Sequence, residues 1–84
     1  MSSLTSKQQK FKDTYLDSLM ECIQKYPNDY CYGEQEATAV CDKMFNAFMR
    51  HTANKDGKAV KNTCKKLGIP YTYKGISEYL GVSY

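Results

Sequence analysis

Long apolar runs are missing from this 84-residue chain. None approaches the ~18 residues that carry a helix across a bilayer, so no transmembrane span and no membrane partner are expected. The opening MSSLTSKQQK has no apolar stretch behind its charges. No secretory signal is therefore expected, and the expected location is cytoplasmic. Histidine and arginine are nearly absent, with His51 and Arg50 the sole examples. One histidine leaves no imidazole pair for a metal. One arginine argues against bidentate reading of guanine, and so against sequence-specific DNA recognition.

Cysteine is present four times, but the spacing that zinc sites need is not. Cys22, Cys31, Cys41 and Cys64 form no C-x₂₋₄-C pair, so no turn presents two thiolates to one ion. Cys22, Cys41 and Cys64 fall on apolar helix stripes, where cysteine acts as a small hydrophobe. Cys31 falls in a loop and is the cysteine expected to be exposed. No metal and no cofactor are expected. Catalytic constellations are missing as well: there is no Ser/His/Asp or Cys/His arrangement and no glycine-rich phosphate loop. Asp13, Asp17 and Glu21 recur at four-residue steps, but with Lys10 and Lys25 beside them they read as a solvated, ion-paired face. No catalytic residue is assigned, and a non-enzymatic protein is expected. Strand alternation is absent too, which leaves an all-α protein.

What the chain does have is helical periodicity. Residues 1–4 read as a flexible N-terminus. Thr5 and Ser6, each followed three residues later by glutamine, mark the start of a helix over 5–26. Its stripe is Phe11, Tyr15, Leu16, Leu19, Cys22, Ile23 and Tyr26, and Pro27 stops it. A second helix is predicted over 33–51, with Glu34 and Glu36 in the first turn where the helix dipole favours acids. Ala37, Val40, Cys41, Met44, Phe45 and Phe48 form its apolar stripe. A third is predicted over 57–67, capped by Asp56 or Gly57 and ended by Gly68. A fourth is predicted over 72–80, capped by Thr72, with Tyr73, Ile76, Tyr79 and Leu80 as its apolar positions. The expected fold is a single small four-helix domain: two longer antiparallel helices, and a short C-terminal pair packed across them.

Charge is unevenly divided. Residues 1–54 hold six basic side chains against seven acids, whereas residues 55–84 hold six lysines against Asp56 and Glu78. A basic end on a near-neutral body points to an anionic partner.

The run Cys64-Lys65-Lys66-Leu67-Gly68-Ile69, followed by Tyr71-Thr72-Tyr73 and Ile76, resembles a helix-turn-helix segment over residues 58–80. A small residue four positions before the turn glycine and an apolar residue after it carry the likeness. Lys74 and Ser77 depart from it, standing where that family has apolar residues, and Pro70 shortens the turn. The segment is also similar to the C-terminal part of small uncharacterised phage and bacterial proteins. The helix-turn-helix resemblance implies DNA binding.

Read from the residues, Lys58, Lys61, Lys65, Lys66, Tyr71 and Lys74 are the candidate contacts to DNA or RNA. The lysines would neutralise phosphates. Solvent-facing rings among Tyr71, Tyr73 and Tyr79 would stack on unpaired bases, unless they complete the core instead. The alternative expectation is a protein-binding module, a phage-type regulator or inhibitor that docks on a larger protein or forms a homodimer. Tyr30, Tyr32 and the methionines of the second helix would then form its surface.

Overall fold

The computed structural model describes residues 3–30, 33–50 and 57–82. The expectations placed on Cys31, Tyr32, His51 and Asp56 lie outside them. Among the described residues four helices form: α1 (Ser6–Lys25), α2 (Glu34–Arg50), α3 (Lys58–Leu67) and α4 (Tyr73–Leu80). Among the described residues there is no strand.

The first of these helices is the axis on which the others are arranged. It starts at a complete capping box. The Gln8 amide donates to Thr5 Oγ1 (3.1 Å), and the Thr5 amide donates to Gln8 Oε1 (2.9 Å). Two orphan donors are thereby satisfied. Gln8 Nε2 also donates to the Leu80 carbonyl (2.7 Å), which ties the start of α1 to the end of α4.

Register follows from the cross-helix contacts. Gln24 meets Glu34, Lys12 meets Asp42, and the ring of Phe11 meets that of Phe48. Numbers rise along α1 as they fall along α2, so the two long helices are antiparallel. On another flank, Lys58 reaches Asp29 just past the end of α1, Asn62 faces Cys22, and Lys66 pairs with Glu21. The third helix therefore runs back along the C-terminal half of α1. Tyr79 then lies against Phe11 and Lys7, which places α4 on the N-terminal half. The short helices follow α1 one after the other.

The core is what this arrangement covers. Phe11, Leu19, Phe45, Phe48, Ile76 and Leu80 are its largest fully buried apolar side chains. Cys22, Cys41 and Cys64 are buried free thiols, as their stripe positions predict. Burial pushes the Cys41 thiol up to about 11, with the Asp42 carboxylate adding to the effect. A thiol held protonated in this way is packing material, not a nucleophile.

Ser18 lies in the same buried stripe, and its hydroxyl has no hydrogen-bond partner among the described residues. Thr63, equally buried, donates to the Ala59 carbonyl at 2.7 Å. An unsatisfied buried hydroxyl costs about 1–3 kcal/mol. Ser18→Ala is therefore expected to stabilise the fold by about 1 kcal/mol, a rise in Tm of roughly 4–8 °C for a domain of this size. Thermal unfolding followed by circular dichroism checks it, and a lower Tm would contradict the assignment.

The turn between α3 and α4 is set by two glycines. Gly68 adopts φ 69°, a conformation that a β-carbon disfavours. The Ile69 amide then returns to the Cys64 carbonyl at 3.0 Å, which closes α3. Gly75, inside α4, has an ordinary helical backbone but no room. A β-carbon there would lie 2.7 Å from the Pro70 carbonyl oxygen and 3.0 Å from Pro70 Cβ. Alanine usually gains up to ~1 kcal/mol over glycine in a helix. Here the sign reverses, and Gly75→Ala is expected to cost about 1–3 kcal/mol through overpacking. Urea unfolding reads the difference, and a gain in stability would show that the Pro70 turn yields freely.

Candidate nucleic-acid interface

The pattern of α3 decides what it shows to solvent. Ala59, Val60, Thr63 and Cys64 are buried against the body of the domain. Lys58, Lys61 and Lys65, spaced i, i+3 and i+7, share the opposite stripe and are exposed. Lys66 lies at the edge of that stripe, turned towards α1. Lys74 is exposed on α4, one residue beyond Tyr73. The sequence-predicted lysines are thus all at the surface, and three of them form one row.

Their partners differ. Lys58 Nζ is 3.1 Å from Asp29 Oδ2 and 4.9 Å from the centre of the Tyr26 ring. The hydrogen bond to Asp29, and then the charge of that carboxylate, raises its pKa. Lys66 Nζ is 2.7 Å from Glu21 Oε1. Lys61, Lys65 and Lys74 make no ion pair among the described residues. Both existing pairs are solvent-exposed, with side chains between 39% and 58% accessible. Exposed pairs contribute ~0–1 kcal/mol, so exchanging a carboxylate for a phosphate at Lys58 or Lys66 costs little.

The fold also recruits residues outside the predicted set. Because α3 runs antiparallel to α1, Lys58 meets the C-terminal end of α1, where Lys25 Nζ lies 5.8 Å from the same Tyr26 ring. Lys25 and Tyr26 therefore extend the cationic row past the start of α3. No local signal marks this, since Lys25 and Lys58 are distant in sequence and meet only through the packing. Acidic residues are exposed as well: Asp13, Asp17 and Glu21 along α1, with Glu21 paired to Lys66, and Glu78 on α4.

The tyrosines divide unexpectedly. Tyr71, a predicted contact, is half-buried and packs against the core cluster, as does Tyr79. Tyr73, expected as an apolar position of α4, is 51% exposed. The cause is its place as the first residue of the helix, where Thr72 caps the backbone by accepting from the Gly75 amide at 2.9 Å. Ile76 and Leu80, one and two turns on, take the buried positions.

Among the described residues no group of three or more His, Cys, Asp or Glu side chains is placed to hold a metal ion. No helix among them is long and apolar enough to cross a membrane.

The described residues thus define a small all-α domain whose third helix carries a row of lysines. No protein-family model, no curated protein and no solved structure matches this chain.

Proposed function

We propose that this protein is a small non-enzymatic accessory protein that binds nucleic acid through its phosphates. Lys58, Lys61, Lys65, Lys66 and Lys74 supply the charge, and Lys25 adds to it. The observation that carries the reading is the row on α3. One side of the helix is spent on the core, and the other is given to three lysines, two of which have no carboxylate partner among the described residues. A short, strongly amphipathic helix with lysines in line is an electrostatic footprint for a polyanion.

Binding of this kind gains its free energy from counterion release, and each neutralised phosphate contributes ~0.7–0.9 to the slope of log K against log salt. Five lysines give a slope of about −4, a loss of roughly 10²-fold between 50 and 200 mM salt. Base-edge reading is not part of the proposal. The fourth helix is only eight residues long and shows Tyr73, Lys74 and Glu78 to solvent, none of them a bidentate reader of purines.

Docking on a protein through a tyrosine and methionine patch has less support. Tyr30, Met44 and Met49 are half-buried against the core cluster. Leu4 and Tyr73 are the only large apolar side chains exposed among the described residues. Fluorescence anisotropy with labelled duplex DNA, single-stranded DNA and RNA, at low and physiological salt, tests the proposal. Saturable binding that weakens steeply with salt is expected. Absence of binding to all three at low salt would end this reading.

A further inference from the structure

We infer that Asp29 and Glu21 are built-in competitors for the phosphates that the lysines of α3 bind. Each carboxylate holds one end of the lysine set until nucleic acid displaces it, so the two acids limit the affinity of the surface. This deepens the phosphate-binding reading and rests on it. The observation is where the carboxylates stand. Lys58 and Lys66 are the first and last lysines of α3, and each is held by an acid from another part of the chain. Asp29, in the turn after α1, has Oδ2 3.1 Å from Lys58 Nζ, and Glu21, on α1, has Oε1 2.7 Å from Lys66 Nζ. Between them, Lys61 and Lys65 make no ion pair among the described residues. A helix rises about 12 Å over those eight residues, so a carboxylate closes each end and the middle stays open.

A carboxylate oxygen accepts from an ammonium group as a phosphate oxygen does, with negative charge on the acceptor in both cases. The two acids therefore occupy places that phosphate oxygens would take. Neither pair is needed to hold α3 on the domain, because Ala59, Val60, Thr63 and Cys64 bury its inner side. Both pairs are exposed, and an exposed pair shifts an equilibrium by at most about fivefold. A contact of that size yields readily to a phosphate, yet it still subtracts from affinity. At the Lys58 end the competition reaches a second cation's surroundings. Lys58 Nζ lies 4.9 Å from the centre of the Tyr26 ring, and Lys25 Nζ lies 5.8 Å from the same ring.

The test is anisotropy on the whole protein at low salt, with labelled duplex DNA, single-stranded DNA and RNA of one length. Asp29→Asn and Glu21→Gln remove each charge and keep the shape of the side chain. Asp42→Asn makes the same change in net charge and releases Lys12, its partner at 2.9 Å between α1 and α2. On the probe that the parent binds, Asp29→Asn and Glu21→Gln should each tighten binding about two- to fivefold. Asp42→Asn should leave it nearly unchanged. A double-mutant cycle with Lys58→Ala separates competition from plain repulsion: the gain from Asp29→Asn should vanish once Lys58 is gone. Unchanged affinity in Asp29→Asn or Glu21→Gln, an equal gain in Asp42→Asn, or a gain that persists without Lys58 would overturn the inference while leaving the lysine surface standing. Failure of every probe to bind the parent would instead remove the phosphate-binding reading beneath it.

Discussion

Replacing Lys61 and Lys65 together by glutamate is expected to weaken nucleic-acid binding by about 10²-fold at low salt. The size follows from removing two charge-assisted hydrogen bonds to phosphate, each of about 1.5 kcal/mol, with repulsion from the new carboxylates added. The salt slope should fall by about 2 in the same variant, because two fewer counterions are released. Neither lysine has an ion-pair partner among the described residues, and both are exposed. The fold should therefore hold, with stability within ~0.5 kcal/mol of the parent. Lys10→Glu/Lys43→Glu makes the same change in net charge on α1 and α2, at residues that are also exposed. A much smaller loss in that variant locates the effect on α3. Equal losses would mean that net charge alone governs association.

Phe11→Ala is expected to have the largest effect on the fold itself. The ring is fully buried and lies 6.3 Å from Phe45, 5.7 Å from Phe48 and 6.4 Å from Tyr79 between centroids. It is thus the point where α2 and α4 both meet α1. Truncating a buried phenylalanine costs about 3–5 kcal/mol. A domain of this length has roughly 4–12 kcal/mol in all, at 0.05–0.15 kcal/mol per residue. The variant should melt at least about 12 °C below the parent or lack a cooperative transition at 25 °C. A Phe11→Ala protein that melts like the parent would contradict the placement of Phe11 at the centre of the core.

Much of this fold is legible in the chain, because its helices are written in local terms. Thr5 with Gln8, Gly68 and Thr72 each act through neighbours three or four residues away. The apolar stripes likewise predict Phe11, Leu19, Phe45, Phe48 and Ile76 as buried. The local pattern cannot carry the order in which helices pack. That α1 is the common partner of the other three is a property of the assembled domain, as are the pairs Lys66–Glu21 and Lys58–Asp29. The candidate surface is legible as a lysine-rich segment but not in its extent. Lys25 and Tyr26 join it only because α3 runs antiparallel to α1. Tyr73 departs from its expected burial for a different reason: periodicity says which face a residue shares, but the first residue of a helix has no preceding turn against which to be buried. Gly75 carries no sequence signal, because its requirement is space beside Pro70 and not a special backbone angle.

Phosphate binding by the lysine row of α3 is tested most directly by the salt dependence of oligonucleotide affinity, measured by anisotropy on the parent and on Lys61→Glu/Lys65→Glu. A parent slope of about −4 that falls to about −2 in the variant is the predicted result. A parent slope near zero, or a variant slope equal to the parent's, would contradict it.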